Sequence, residues 1–406
     1  MQDNQPYFSI LIPCFKRPEY AREALQSVLA QTCADYEIVV SNNGADAAVH
    51  QSVTDLIRDH RVRYVESASV LSMPDHWEYL RSIVKGKYIL VLTDRSVLVR
   101  DALKIIKNTH AAMPGVSQVI SWAWDLYYND EKILMKHKGD GHIAIINSRD
   151  YLRCTARYDV SEYPYALPRG LNSCISVEIL NAISDYCGSA FGRLNPDFSV
   201  GYRCLHTVEN YVHMDNSLMI SQGLKLSNGG NSAKGEGSDY IKSVGLTMET
   251  AFNKVPVKLP FVAAGVPQDL LTSFDIYENL DCLQEFNWVQ FYISCINELD
   301  LKTTSQSISK STIRSFEEEI RMALAQESPK VQAGVASALK DQQTPRYRLS
   351  LFLRRIFSKY VPNTLRVYVM QMRGGIRFES ALLVKLNLPA YVTILQKSTD
   401  CSEISR

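Results

Sequence analysis

Short apolar runs alternate with amphipathic helical stripes over residues 8 to about 100, and this alternation limits the fold more than any other feature. Behind the first run, Pro18 suits the first turn of a helix whose apolar residues recur at helical spacing. Alternating strands and helices are typical of right-handed crossovers and a mostly parallel sheet. The sequence therefore predicts an open α/β sheet flanked by helices. The apolar runs are 8–13, 36–41, 62–65 and 87–92.

Polar loops follow three of these predicted strands, at residues 14–17, 41–46 and 93–96. Ligands of such sheets bind outside the carboxyl ends of the strands, so these loops are expected to converge on one site. From 118 to 146 the pattern changes to aromatic-rich strands that extend the sheet. The Gly-, Ser- and Asn-rich stretch 222–240 predicts a long loop suited to a lid.

Helical stripes replace strands after about residue 245. We therefore expect two parts, a domain over 1–245 and a mainly helical region over 246–406. Within the second part, 345–378 carries eight Arg and Lys residues and no Asp or Glu, interleaved with apolar side chains. This pattern suits a helix lying on an anionic membrane surface, a basic oligomer contact or a nucleic-acid-binding tail. The residues alone leave these alternatives open.

Composition excludes several classes of protein. With 46% hydrophobic and 21% charged residues the chain is neither disordered nor collagen-like, and its net charge of +1 gives no overall bias toward nucleic acid. The nine cysteines are an odd number, scattered and nowhere spaced C-x-x-C, which predicts reduced thiols. Neither a secretory signal nor an apolar run of the ~20 residues needed for a membrane span is visible. We therefore expect a cytoplasmic location.

Three segments carry a family resemblance: SILIPCFKRPEYAREALQSVLAQT, YEIVVSNNGAD and KGKYILVLTDRSVL. Their order and spacing, each ending at a predicted strand terminus, resemble the family 2 glycosyltransferases over roughly residues 8–225. The resemblance implies a GT-A fold with a helical C-terminal appendage. It also implies a hexosyltransferase-like enzyme that takes a sugar from a nucleotide-sugar, with a UDP-sugar favoured.

The resemblance puts Pro13, Phe15 and Arg17 beside the nucleotide. Pro13 could instead be only a strand terminator, and Arg17 only a solvated side chain. After the second strand, where the family often has an aspartate that contacts base or ribose, this chain has Asn42 or Asn43. An amide keeps donors and acceptors for that contact but lacks the charge.

Asp46 matches the later acid of the same loop, although a helix cap explains it equally well. The family's acidic D-x-D cluster corresponds to Asp94, Arg95 and Ser96. Carboxylates there would hold a cation that neutralises the departing diphosphate. Only the first acid remains, so Mg²⁺ or Mn²⁺ is expected to bind weakly at Asp94 or to be dispensable. We hypothesise that Arg95, or Lys234 from the predicted lid, partly replaces the metal, the alternative being that Arg95 points into solvent.

The stretch LNPDFSVGYRC resembles the family segment that supplies the catalytic base, with Asp197 at the base position and Arg203 in the following helix. The alternative for Asp197 is a helix cap behind Pro196. Glu209 and Asp215 are reserve candidates for the base.

Aromatic residues past the D-x-D-like turn are candidates for the acceptor side. Trp122 and Trp124 could stack on sugar faces, with Asp125 beside them, and core burial is the alternative for each tryptophan. His76 is a weaker candidate for contact with the donor, and Trp77 is expected in the core.

Together these features predict an inverting transferase of bacterial surface-glycan synthesis, such as lipopolysaccharide or capsule, acting on a lipid-linked acceptor. Peripheral contact with the inner face of the membrane would run through 345–378, no nucleic-acid partner is expected, and the oligomeric state stays open. Two rivals remain: a transferase of a sugar- or polyol-phosphate from a nucleotide carrier, and a catalytically silent scaffold that binds nucleotide-sugars. A processive synthase is not expected, because spanning helices and a Q-x-x-R-W segment are absent from the sequence.

Overall fold

The computed structural model describes residues 5–128, 132–222, 237–305 and 308–342. These residues divide into two compact units. The first contains the described residues up to 152 and those from 161 to 222, and the second contains 153–160 and the described residues from 237 onward. The predicted boundary after residue 245 stays a prediction.

The first unit is built on one open sheet, and its first half is parallel. Strands β1 to β4 lie side by side in the order β3-β2-β1-β4, with every neighbouring pair parallel. The four apolar runs therefore form the expected strands and crossovers. Their bounds are Phe8–Cys14 (β1), Tyr36–Asn42 (β2), Val62–Glu66 (β3) and Tyr88–Val91 (β4).

The second half of the sheet is mixed. Its order continues β9-β6-β10-β5, and β9 runs antiparallel to both of its neighbours, β4 and β6. Because β9 reverses direction, β6 and β10 again point the same way as β1, so their carboxyl ends share one edge of the sheet. The bounds are Ser96–Leu98 (β5), Val119–Tyr128 (β6), Ile133–Met135 (β7), Ile143–Asn147 (β8), Ser173–Ser176 (β9) and Asn210–Gln222 (β10).

Seven α-helices accompany these strands in chain order through the described residues up to 222. One core cluster packs strand residues such as Ile10 and Ile38 against Leu25 of the first helix and Leu103 of the fourth. Burial of such a side chain stabilises the fold by roughly 1.5–3 kcal/mol. The bounds are Pro18–Leu29 (α1), Ala47–Val53 (α2), Met73–Ser82 (α3), Ala102–Ala112 (α4), Ser148–Arg157 (α5), Val177–Cys187 (α6) and Pro196–Thr207 (α7).

At the amino-terminal edge of the parallel strands, a buried carboxylate of β2 contacts three other segments. Glu37 of β2 is 8% exposed. Its Oε1 accepts hydrogen bonds from Ser9 Oγ (2.6 Å) and the Lys85 backbone N–H (2.6 Å), and its Oε2 accepts one from Arg63 Nη2 (3.2 Å). Ser9 Oγ in turn accepts the Gly86 N–H at 2.8 Å. This network ties β1, β2 and β3 to the turn that precedes β4.

The second unit is helical in its described part. One long-range contact substitutes for a local helix cap: the carboxylate of Glu298 accepts the backbone N–H groups of Val262 (3.3 Å) and Ala263 (2.8 Å). It also pairs with Lys302, which is 3% exposed. The bounds are Gly237–Ser243 (α8), Met248–Ala251 (α9), Val262–Ile276 (α10), Leu280–Gln284 (α11), Trp288–Ser305 (α12), Lys310–Ala325 (α13) and Pro329–Gln342 (α14).

The predicted fold class is confirmed: an α/β sheet flanked by helices, followed by a helical C-terminal region. The expected lid at 222–240 lies mostly outside the described residues, and its last part is helical as α8 instead of loop. Segment 345–378 and Lys234 lie outside the described residues. No helix in the described ranges has the length and hydropathy to span a membrane.

Candidate functional site

Asp94 occupies the centre of the carboxyl-terminal edge, directly after β4. Its side chain is almost completely buried, and Oδ2 lies 3.3 Å from Arg17 Nε and 3.4 Å from the Phe15 backbone N–H. Burial raises the pKa of Asp94 to about 6, against the opposing effect of Arg17. Its second oxygen, Oδ1, is buried without a hydrogen-bond partner in the described part of the chain. The loops after β1 and β4 therefore meet at this carboxylate, as the sequence predicted.

Arg95 and Ser96 connect this loop to the end of β10. Nη1 of Arg95 donates to the Gln222 carbonyl (3.0 Å) and to Ser221 Oγ (3.4 Å). Ser96 Oγ lies 3.3 Å from both Ser221 Oγ and Thr93 Oγ1. Arg95 is therefore held by protein contacts, which contradicts the alternative of a side chain that simply points into solvent.

Asp197 sits in the first turn of α7. Burial raises the pKa of its carboxyl group, while Arg169 and Arg95 lower it, together with N–H groups of the helix start. Asn195, not Asp197, holds the N-cap position of α7, and Asp197 is an acidic residue of the first turn that belongs to a cluster of charges. The Gly170 N–H donates to the Asp197 carbonyl at 3.0 Å, and a Cβ on Gly170 would lie 2.9 Å from the ring of Trp77. A side chain at position 170 would therefore press on the Trp77 ring and displace either this ring or the backbone that contacts Asp197.

Arg169 brings a further cation to the cluster from the loop before β9. Its guanidinium lies 4.4 Å from the ring centroid of Trp124 and 5.0 Å from that of Phe198, and Nε donates to Asn172 Oδ1 at 3.2 Å. Burial lowers its pKa, while Asp197 raises it. Stacking between two rings and one hydrogen bond hold the plane of the guanidinium in a defined orientation.

The asparagines after β2 bond to protein groups, Asn42 within its own loop and Asn43 across to the segment after β3. The Asn43 amide exchanges hydrogen bonds with the backbone of Leu71 (2.8 and 2.9 Å) and accepts one from Ser67 Oγ (3.0 Å). The Asn42 side chain donates to the Asp46 carbonyl (2.8 Å) and accepts the Asp46 N–H (3.0 Å). Asp46 itself caps α2, which was the alternative to a binding role. Contact of these three residues with a donor stays a prediction.

The acceptor-side candidates differ in how deeply their side chains are buried. Trp122 is 1% exposed and belongs to the same core cluster as Ile10 and Leu25, as its alternative predicted. Trp124 is half-buried beside Arg169 and makes an edge contact with Tyr165, 4.7 Å between centroids. Asp125 is buried and accepts the His137 N–H at 2.8 Å, and burial raises its pKa. Of the three, Trp124 lies nearest to the charged cluster, through Arg169.

Several other sequence candidates have structural contacts. His76 is buried against Ser41 Oγ at 2.7 Å, and burial lowers its pKa to about 4, so it is neutral near pH 7. Trp77 is in the core, as expected. Arg203 Nη1 donates to the carbonyl groups of Ser189 (2.8 Å) and Ala190 (3.3 Å) and so fastens that loop to α7.

For the remaining candidate residues, the roles suggested by the sequence stay predictions. Pro13 is buried within β1, Phe15 is an exposed aromatic at 36%, and Glu209 is exposed at the start of β10. Asp215 pairs with His137 at 2.5 Å.

A divalent cation would find few ligands at the edge of the sheet. In the described ranges no group of three or more His, Cys, Asp or Glu side chains could hold a metal ion. Mg²⁺ and Mn²⁺ need several oxygen ligands, with negative charge among them. Asp94 offers one free oxygen, while Arg17 and Arg95 lie within electrostatic reach of it and the Ser96 hydroxyl is within 3.3 Å of two other hydroxyls. These residues do not fit a resident divalent metal.

Sequence reasoning missed Arg169 and Gly170. They stand in PYALPRGLNS, which has neither helical nor strand periodicity and matches none of the quoted motifs. Arg169 reaches the site because β9 inserts antiparallel between β4 and β6, which brings the loop before β9 to the carboxyl-terminal edge. No local signal in the sequence announces this placement.

Residues 9–116 match the family model described as Glycosyl transferase family 2. The resemblance to that family is thereby confirmed for this part of the chain. An uncharacterized glycosyltransferase of Rickettsia felis is 27% identical over 97 residues, which are 24% of this chain and 16% of the relative. A second, from Rickettsia conorii, is 26% identical over 102 residues, 25% of this chain and 17% of the relative. The chain thus spans less than a fifth of the length of these curated relatives.

Among solved structures, S. aureus TarS 1-349 in complex with UDP-GlcNAc aligns with a TM-score of 0.45 and 10% identity, covering 78% of this chain and 90% of that one. The mannosyltransferase PcManGT of Pyrobaculum calidifontis, in complex with GDP-Man and Mn²⁺, aligns with a TM-score of 0.41 and 12% identity, covering 91% and 88%. Both likenesses are too distant to support an argument about function.

Proposed function

We propose that this protein is an inverting glycosyltransferase that moves a sugar from a nucleotide-sugar, with a UDP-sugar favoured, to a hydroxyl of a growing glycan. The observation that carries the proposal is the meeting of two aspartates, the buried Asp94 and the half-buried Asp197, with Arg95 at the carboxyl edge of a sheet whose residues 9–116 match a glycosyltransferase family model. Ligands of open α/β sheets bind at this edge.

In the proposed reaction Asp197 acts as the general base. The acceptor hydroxyl attacks the anomeric carbon from the face opposite the diphosphate, so a new C–O bond forms while the bond to the diphosphate oxygen breaks. The nucleoside diphosphate leaves with that electron pair, and the hydroxyl proton passes to Asp197. A single displacement of this kind inverts the anomeric configuration.

The environment of Asp197 suits this role. A base works best when its pKa approaches the working pH, and burial moves the pKa of Asp197 upward from its ordinary value. Arg169 and Arg95 oppose the shift and favour the ionised carboxylate that can accept a proton. Asp197 can therefore be ionised before the reaction yet more basic than an exposed aspartate.

For the acceptor we propose a lipid-linked surface glycan, reached at the inner face of the membrane from the cytoplasm. The support is the sequence alone: the unopposed basic and apolar residues of 345–378 suit an anionic lipid surface. The donor contacts of Pro13, Phe15 and Asn43 are likewise proposed from the resemblance, with Phe15 the most accessible of them.

The deciding experiment incubates the full chain with a panel of nucleotide-sugars and lipid-linked acceptors and identifies products by mass and by the anomeric proton coupling. We expect transfer of a sugar with inversion. Asp197→Asn should lower kcat by roughly 10²–10⁴-fold, because it removes proton transfer. Asp185→Asn, an exposed aspartate of α6, is the matched control and should be unchanged.

Other outcomes favour the rivals. A product heavier by a sugar-phosphate or polyol-phosphate would identify the other group transfer. Neither transfer nor hydrolysis across a broad panel would support a silent binding subunit. Activity retained in Asp197→Asn would remove this residue from the role of base and leave Glu209 and Asp215 to be tested.

A further inference from the structure

Five charged side chains gather at the carboxyl-terminal edge of the sheet: Arg17, Asp94, Arg95, Asp197 and Arg169. Arg17 contacts Asp94 directly. Arg169 lies beside the start of α7, because its guanidinium is 5.0 Å from the Phe198 ring centroid and the Gly170 N–H donates to the Asp197 carbonyl at 3.0 Å. Asp94 and Asp197 both raise the pKa of Arg95, against burial and against the other two arginines, and Arg169 lowers the pKa of Asp197. Glu19 also acts electrostatically on Asp94, so the three arginines face three carboxylates. Because Arg17 pairs with Asp94, Arg95 and Arg169 are the cations that remain for an anionic group.

We propose that Arg95 and Arg169 hold the diphosphate of the donor directly, in place of a divalent cation, with Arg17 neutralising Asp94. This inference rests on the proposed function, because it names how the same site binds its nucleotide. Guanidinium groups suit the task, since their N–H donors match phosphate oxygens in paired, charge-assisted hydrogen bonds.

Both arginines keep donors for a ligand. Arg169 uses Nε for Asn172, and Arg95 uses Nη1 for the end of β10. A guanidinium has five N–H groups, so within the described residues most of its donors remain after these contacts. The contacts also fix each side chain, and stacking against Trp124 and Phe198 fixes Arg169 further. A ligand therefore meets donors that are already oriented, which lowers the entropy lost on binding.

Charge also favours this arrangement over a metal. The diphosphate group of a nucleotide-sugar carries two negative charges, and each arginine can pair with one of them. A divalent cation at Asp94 would add two positive charges beside Arg17 and Arg95, with only one free carboxylate oxygen to bind it. Repulsion from the guanidinium groups would weaken the metal there.

Calorimetric titration of the full chain tests the proposal, with UDP and UMP as one pair of probes and GDP and GMP as a second pair. Each probe is titrated in excess chelator and again with Mn²⁺. We expect one diphosphate to bind in chelator with a Kd within about threefold of its value in Mn²⁺. Arg95→Gln and Arg169→Gln should each weaken it on the order of 10- to 100-fold and affect the monophosphate far less.

Matched variants separate binding from folding. Arg100→Gln replaces an exposed arginine near the same loop and should bind as the wild type does. Arg169→Lys keeps the charge but loses the fork of donors, so it should bind more weakly than the wild type even if Arg169→Gln fails to fold.

Two results would overturn the proposal alone: diphosphate binding that disappears in chelator, or arginine variants that bind like the wild type. A protein that binds no nucleotide diphosphate under any condition would refute the proposed function together with this inference. The metal arm of the titration therefore distinguishes the two failures.

Discussion

Replacement of Glu37 by alanine should destabilise the first unit strongly, although Glu37 lies at the edge of the sheet opposite the charged cluster. The substitution removes the acceptor of three hydrogen bonds, from Ser9, Arg63 and the backbone of Lys85. A buried donor left without its partner costs about 1–3 kcal/mol.

The three losses are unequal. The Lys85 N–H has its bond to Glu37 at 2.6 Å, so we assign it the full cost. The Ser9 hydroxyl also loses its acceptor, since the Gly86 N–H only donates to its oxygen, whereas Arg63 keeps the Ile83 carbonyl and is 32% exposed, which reduces the cost there. The sum is roughly 3–5 kcal/mol. Glu37→Gln retains an acceptor oxygen and should cost about 1–2 kcal/mol.

Urea unfolding followed by tryptophan fluorescence measures this effect in the first unit alone if Trp288 is first replaced by Phe. The three remaining tryptophans, at positions 77, 122 and 124, then all lie in that unit. Glu317→Ala, an exposed glutamate of the second unit, is the control and should not move the transition. A loss below about 1 kcal/mol for Glu37→Ala would refute the role of this carboxylate as a structural acceptor.

Three further predictions concern the site and the second unit. Gly170→Ala should lower kcat more than it alters donor affinity, because the added methyl displaces the backbone that holds Asp197, and turnover of the variant checks this. Burial raises the pKa of Asp94 from 3.8 to about 6, so the folded state binds more protons between these pH values and loses stability as the pH rises through them. Asp94→Asn should therefore be more stable than the wild type by about 2–3 kcal/mol at pH 7.5 and equally stable near pH 4. Equal stability of the two proteins at both pH values would contradict the burial of Asp94. Glu298→Ala should cost roughly 3–5 kcal/mol in chemical unfolding, since it uncaps α10 and removes a carboxylate from buried Lys302, and Lys302→Met in the same chain should recover part of the loss.

The parallel half of the sheet could be predicted from sequence because its strands are local signals. Runs such as 8–13 and 36–41 are apolar and bounded by turn residues, and the parallel rule then puts their loops at one edge. Asp94 was identified in this way, and Asp197 by family resemblance. Both residues share electrostatic contact with Arg95 in the structure.

The remainder depends on contacts between distant segments. Arg169 is brought to the site by the reversed direction of β9, which follows from sheet packing and not from its own loop sequence. Glu37 was read as part of an apolar strand, because its partners Ser9 and Lys85 come from other elements. The Asn43 amide bonds to the backbone of Leu71, a contact that the sequence of its own loop does not indicate. The partners of these residues are distant in the sequence, so a short stretch of sequence does not contain them.

The stacking of Arg169 on Trp124 gives the site an intrinsic optical reporter. An indole is sensitive to a charge over its ring, and the other two tryptophans of this unit are at most 2% exposed in the core. A ligand that shifts the guanidinium of Arg169 changes the electric field at Trp124 and leaves the field at the two buried tryptophans almost unaffected. Occupation of the site can then be timed by fluorescence after rapid mixing, with neither donor nor protein labelled.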